Sequence, residues 1–214
     1  MVTQFPPVEW ADDSGLLAMG GDLEVETLKL AYSSGIFPWP IAGEPLYWFA
    51  PPRRAILQFD ELHIPERLQR YLKNSDFIFR VNSNFEAVIR GCAASSNRKG
   101  ARGTWITREM IAAYIEFHRR GFAHSFETYN RKNELVGGMY GVKINKYFAG
   151  ESMFYKESNA SKFALIEAVR FLQNRGLTWM DVQTLTPLLK RLGAKEILRA
   201  EFMRKLREAL KEGL

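Results

Sequence analysis

The sequence predicts an α+β fold, and three observations carry the prediction. Two apolar runs, Leu135–Val142 and Tyr147–Phe154, flank the polar turn Lys143-Ile144-Asn145-Lys146, the pattern of a β-hairpin. With the run Ala123–Tyr129 and the turn Asn130–Asn133 upstream, they read as an antiparallel meander of three strands. Segments of helical apolar periodicity lie on either side of it, at Arg108–Arg120 and from Ala160 to Asn174. Composition allows a substantial core: 214 residues, 46% apolar and 13% aromatic, suit one large domain or one domain with a small appendage.

Residues 1–21 are rich in Pro, Gly and Asp and read as irregular. Asp22 is placed to cap a helix whose first turn carries Glu24 and Glu26, the charge sign favoured there, and Gly35 ends it. The clusters Ile36-Phe37-Pro38-Trp39-Pro40 and Tyr47-Trp48-Phe49-Ala50-Pro51-Pro52-Arg53-Arg54 set large aromatics beside prolines, which do not sit in a central strand. Two readings stand for them, a pocket lining and a hydrophobic plug. A strand is expected at Ala55–Phe59, then a helix over 65–73 opened by Pro65. Arg67, Arg70 and Lys73 recur on it every third residue, as a basic stripe for a polyanion or as a solvated face. A strand at Phe77–Val81 and a helix near Phe85–Ala93 follow. The small, basic stretch Ala94–Gly103 reads as a mobile loop containing Arg98, Lys99 and Arg102. Thr107 caps the helix over Arg108–Arg120, and Gly121 stops it. After the meander and the 160–174 helix comes a strand at Thr178–Gln183. Thr186 and Pro187 then start a short helix ending at Gly193, and a last amphipathic helix runs over Arg199–Lys211.

The net charge of +6 permits a polyanionic partner without requiring one. A lone cysteine, Cys92, excludes an internal disulfide and suits a reducing compartment. Met1–Trp10 has no signal-peptide pattern, and no apolar run is long enough to span a bilayer. A soluble, cytoplasmic protein is expected. His63, His118 and His124 lack metal-ligand spacing, so no metal is expected. Gly150-Glu151-Ser152 does not match a nucleophile elbow, and no phosphate-binding or dinucleotide fingerprint is present. What remains is polar chemistry in apolar strands. Glu151 is a lone carboxylate beside Phe148, Met153 and Phe154, a costly position unless a cation meets it, from within the protein or with a substrate. Asp181 and Gln183 lie two apart on a strand and so share a face, where they form either a structural network or a site. Gly137, Gly138, Gly141 and Gly150 punctuate the hairpin, which points to close approach of another backbone or a ligand.

Several long segments taken together resemble the bacterial leucyl/phenylalanyl-tRNA–protein transferases. They run from Gly15-Leu16-Leu17-Ala18-Met19-Gly20-Gly21-Asp22-Leu23 through Ala31-Tyr32 and Gly35-Ile36-Phe37-Pro38-Trp39. They continue through Gly103-Thr104-Trp105-Ile106-Thr107, Ala123-His124-Ser125, Leu135–Gly141, Gly150–Phe154, Ala160-Ser161-Lys162, Asp181 with Gln183, and Leu192-Gly193-Ala194. The resemblance spans nearly the whole chain. It implies a small N-terminal domain, residues 1–54, followed by an acetyltransferase-like mixed-sheet domain, 55–214. It implies transfer of Leu, with Phe and then Met as further donors, from aminoacyl-tRNA to proteins whose N-terminus is Arg or Lys, yielding a degradation signal. No metal or coenzyme is implied, since the aminoacyl-tRNA is itself the activated ester.

By the same resemblance, Gln183 orients the attacking amine, Asp181 fixes Gln183, and Glu151 lies in the acceptor site, where either Glu151 or Asp181 meets the positive N-terminal residue. Trp39, Trp105, Met139 and Phe148 match pocket positions for the aminoacyl side chain, with Ala168 and Leu172 standing where well-known members often carry bulky aromatics. Arg67, Arg70 and Lys73 match the basic helix that meets tRNA, although Glu66 and Asn74 replace basic residues of some members. A monomer is expected. Two rivals are an acyl-CoA-dependent N-acyltransferase, which needs a glycine-rich pyrophosphate loop after a strand, and a non-catalytic module binding tRNA or protein N-termini.

Overall fold

The computed structural model describes residues 1–40, 44–95 and 105–211. A 3-10 turn, Val8–Trp10, precedes strand β1 (Leu16–Met19), helix α1 (Val25–Ser33), β2 (Phe37–Pro38) and β3 (Tyr47–Phe49). The three strands form a small sheet in the order β1-β3-β2. A strand therefore lies inside the stretch read as irregular, and both aromatic–proline clusters contribute to the sheet. Pro38 is tolerated because β2 is an edge, where a missing N–H costs no ladder bond. Asp22 does not cap α1 directly. Its carboxylate accepts from the Thr27 hydroxyl at 2.6 Å and pairs with the Met1 ammonium at 2.8 Å, while Glu24 holds the cap position with no side-chain bond.

The rest of the described chain runs β4 (Arg53–Gln58), α2 (Glu66–Lys73), β5 (Ile78–Val81), α3 (Phe85–Ala94), α4 (Arg108–Arg119), β6 (Ala123–Tyr129), β7 (Leu135–Ile144) and β8 (Tyr147–Tyr155). It ends with α5 (Ala160–Gln173), β9 (Trp179–Gln183), α6 (Pro187–Arg191), β10 (Lys195–Leu198) and α7 (Arg199–Lys211). Thr107 and Thr186 cap α4 and α6 as expected, each hydroxyl accepting a backbone N–H at 3.2 Å. The loop containing Arg98, Lys99 and Arg102 falls outside the described residues. Two elements differ from expectation. β4 opens at Arg53, which carries Arg54 into the sheet, and β10 is a strand that local pattern did not suggest. β10 is an edge strand with mostly exposed residues, formed because its backbone pairs antiparallel with β4.

Seven strands form one mixed sheet in the order β10-β4-β9-β8-β7-β6-β5. Every pairing is antiparallel except β8 with β9, which α5 connects as a crossover helix. The α+β expectation is met, with helices on both faces of the sheet. On one face, Ala164, Leu165, Ala168 and Leu172 of α5 bury against Phe126, Met139, Phe148 and Met180. On the other, Tyr140, Ala149 and Trp179 meet Tyr32 of α1, Tyr114 of α4 and Phe202 of α7. Two hairpin glycines find their reason here. A Cβ on Gly137 would stand 2.6 Å from the Ala160 Cβ, and one on Gly141 would stand 2.3 Å from the Ala149 carbonyl oxygen. Their small size admits the protein's own backbone, not a ligand.

Candidate active site

The parallel pair β8–β9 has a single register point, Ala149 opposite Asp181, and beyond it the two strands part. Irregular pairing marks both strands at this point. Tyr140 pairs with Ser152 and Gly141 with Gly150, so Glu151 is an extra residue with no partner across the ladder. Ala55 pairs with Gln183 and Ile56 with Asp181, so Val182 is extra on the other side. Such bulges re-aim side chains and recur beside active sites. Here they turn two polar side chains toward each other across the opening: the Gln183 amide Nε2 donates to Glu151 Oε1 at 2.9 Å.

Asp181 lies beneath that pair, fully buried. Its cation is Arg54, itself buried, which donates from Nε and Nη2 to the two carboxylate oxygens at 2.8 and 2.7 Å. The Tyr147 hydroxyl donates to Oδ2 at 2.6 Å, and the Gln183 backbone N–H donates to Oδ1 at 2.9 Å. A bidentate pair with two further donors is the arrangement that makes a buried ion pair tolerable. The guanidinium also donates to the Gly35 carbonyl at 3.2 Å and lies 4.4 and 4.6 Å from the ring centres of Phe37 and Phe202. Burial alone would lower the proton affinity of Arg54, and the Asp181 carboxylate raises it above its ordinary value. Arg54 is the site residue that sequence reading missed. A signal existed: a lone Asp in an apolar strand calls for a cation, and Arg54 stands at the threshold of another apolar strand.

Gln183 has a φ of +54°, left-handed backbone that costs a residue with a Cβ about 1–2 kcal/mol. The Asp181 carboxylate secures that conformation through the Gln183 N–H. Asp181 thus meets Gln183 at the backbone N–H, and the side-chain amide bonds Glu151 instead. The Tyr32 hydroxyl, which is hydrogen-bonded to that of Tyr114, also acts on the Glu151 carboxyl. Burial pushes the Glu151 carboxyl up to about 8. The Tyr32 hydrogen bond opposes the rise, the Asp181 charge adds to it, and Arg54 and Gln183 oppose it again. Burial also raises both tyrosines well above their ordinary range, Tyr32 and Tyr114 each feeling the Glu151 charge besides.

One family model, described as leucyl/phenylalanyl-tRNA protein transferase, matches residues 56–207, and its N-terminal domain model matches residues 21–52. The chain belongs to the leucyl/phenylalanyl-tRNA protein transferase family. A leucyl/phenylalanyl-tRNA–protein transferase of Flavobacterium johnsoniae is 48% identical over 199 residues, covering 93% of each chain. Those of Maridesulfovibrio salexigens and Anaeromyxobacter dehalogenans are each 45% identical, over 96% and 97% of this chain and 85% and 88% of theirs. Among solved structures, a GCN5-related glucosamine N-acetyltransferase region of a fungal multi-domain enzyme superposes with a TM-score of 0.48 at 9% identity, covering 68% of this chain and 20% of that one.

The family's expected pocket residues fall into two groups. Met139, Phe148, Ala168 and Leu172 share one apolar cluster on the α5 face, each at most 4% exposed. Trp39 and Trp105 stack on each other at 5.3 Å on the other face, partly exposed. Gly150 lies next to the first group, since a Cβ there would stand 3.4 Å from Met139 Cε. The basic stripe also divides. Arg67 and Arg70 face a groove with Tyr71 and Asn74, and Lys73 is not among its lining residues. A helix advances 100° per residue, so a strict three-residue spacing drifts by about 60° per step. No group of three or more His, Cys, Asp or Glu that could hold a metal occurs among the described residues.

Proposed function

We propose that this transferase moves Leu, with Phe and then Met as further donors, from aminoacyl-tRNA onto the α-amino group of proteins beginning with Arg or Lys. The observation that carries the reading is the Glu151–Gln183 bond across the parting strands, with Arg54–Asp181 buried behind it. A chain with an N-terminal Arg or Lys brings two cations to a site whose own cation is already committed to Asp181. Glu151 is the carboxylate left to receive one. An α-ammonium titrates near about 8, as Glu151 does, so a proton passes between them with little driving force either way. In the proposed step, the ammonium gives a proton to the Glu151 carboxylate while the Gln183 amide oxygen accepts a second N–H and aims the nitrogen lone pair. The nitrogen attacks the ester carbonyl. The tetrahedral intermediate expels the tRNA ribose oxygen, which takes the proton that the nitrogen sheds. Arg54 and Asp181 touch neither substrate and act as positioning residues.

We assign the aminoacyl side chain to the Met139, Phe148, Ala168 and Leu172 cluster, where flexible Met139 adapts to Leu or Phe. Trp39 and Trp105 then flank the terminal ribose and base. We further propose a monomer working in the cytoplasm, with the small sheet and the seven-stranded sheet as its two units; the boundary expected at 54/55 falls inside β4 and moves to its start. No helix among the described residues is long and apolar enough to cross a membrane. The test presents labelled Leu-, Phe-, Met- and Val-tRNA to peptides beginning with Arg, Lys, Asp or Glu. Leu transfer to Arg and Lys peptides with Val refused is expected. Transfer to Asp or Glu peptides alone, or acetyl-CoA accepted in place of every aminoacyl-tRNA, overturns the reading.

A further inference from the structure

β8 and β9 carry Glu151 and Gln183, and the chain leaving each strand leads to the same place. Beyond Tyr155 it supplies Ser158 and Lys162, and beyond Gln183 it supplies Arg191, to one open groove of about 1370 Å³. Arg67 and Arg70 of α2 and Arg131 and Lys132 of the β6–β7 turn complete its lining. Among the described residues, these six cations share the groove with two carboxylates, Asp76 and Glu157. Asp76 is paired with Arg131, and Glu157 accepts from the Asn130 amide at 2.9 Å. The Lys162 ammonium donates to a neutral amide, Asn159 Oδ1 at 2.8 Å, a contact that leaves its charge uncompensated. The groove is therefore strongly positive and lies past the carboxyl ends of the two strands that part, where ligands of mixed sheets approach.

Its walls are also tied together. The Tyr71 hydroxyl donates to the Ser158 carbonyl at 3.1 Å, which links α2 to the start of α5. Phe77 lies between the rings of Tyr71, at 6.4 Å, and Phe163, at 5.5 Å. A positive groove with Tyr71 and Phe77 in its lining suits a ribose–phosphate backbone, whose charges it neutralises with release of counterions.

We propose that the groove extends the tRNA-contacting face of α2, with Lys132, Lys162 and Arg191 taking phosphates across from Arg67 and Arg70. The inference rests on the donor being aminoacyl-tRNA, and it extends contact from one helix to three further elements. Its chemistry is phosphate neutralisation, so it contributes affinity and path, not base readout.

The test measures tRNA binding to the full chain between about 50 and 200 mM salt. The variant Lys132→Glu/Arg191→Glu alters two exposed side chains, and Arg191→Glu alone serves as the milder change. Affinity is expected to fall about tenfold or more at low salt, with the slope of log K against log salt shallower by about one for each cation lost. Arg191→Lys is expected to keep the slope. Aminoacyl-adenosine, which has no backbone to fill the groove, is expected to donate to the variant as it does to the parent. Unchanged affinity and slope in both charge-reversal variants overturn the proposal. Binding is read directly, so absence of transfer from either donor by the parent overturns the acyl-transfer reading alone, and the salt slope still decides the groove.

Discussion

The Glu151 carboxyl is pushed up to about 8, because its desolvation outweighs the donors around it. The sign of its pH dependence follows. The base form appears as pH rises through about 8, so transfer at limiting substrate should increase over that range. The acceptor amine titrates nearby and gives the same direction, so the parent profile alone does not separate them. Glu151→Gln does. With Glu151 as the proton acceptor, kcat in the variant falls by about 100-fold or more, while the titration of the amine itself keeps a rise with pH. A variant with parent kcat removes Glu151 from that role. Gln183 was recognisable beforehand as an orienting amide. Its left-handed backbone was not, because nothing in the tripeptide Asp181-Val182-Gln183 signals a positive φ.

The hairpin β7–β8 combines two kinds of information at the scale of an element. Its turn and its two apolar runs were legible from residue types. Its bulge at Glu151 was not, since an extra residue in one strand is defined only against its partner. The glycines were legible as sites of close approach, and the approaching group is α5 at Gly137 and the Ala149 carbonyl of β8 at Gly141. Gly137→Ala should therefore unfold at lower urea than the parent, by about 1–3 kcal/mol, because the new methyl meets Ala160 Cβ at 2.6 Å and its carbonyl carbon at 2.8 Å. Gly150→Ala, with Met139 Cε at 3.4 Å, should leave the midpoint nearly unchanged. Equal midpoints for Gly137→Ala and the parent would contradict the packing argument.

At the scale of the molecule, Arg54 joins parts that are far apart in the chain. It binds the Gly35 carbonyl after α1, lies against Phe37 of the small sheet and Phe202 of α7, and pairs with Asp181, 127 residues away. Arg54→Ala leaves Asp181 charged, buried and unpaired, a loss of about 3–5 kcal/mol readable by thermal or urea unfolding. Arg54→Met/Asp181→Leu removes both charges, so stability should recover most of that loss. Transfer should stay absent, because Gln183 has lost the acceptor that holds its backbone. Recovery of transfer together with stability would show that the pair serves folding alone.

The sequence by itself determined what local pattern encodes. Apolar periods set helices and strands, Thr107 and Thr186 start their helices, and the hairpin turn, the lone carboxylate and the Asp–Gln pair all stood out as residue types in unusual settings. The tertiary structure alone decided which cation meets which carboxylate, where β8 and β9 part, that β10 closes an edge, and that basic residues from α2, the β6–β7 turn, α5 and α6 line one groove. The division has a physical cause. Periodicity and capping act within a few residues, whereas an ion pair, a bulge or a groove exists only once distant segments pack, and the free energy that selects the partner comes from that packing.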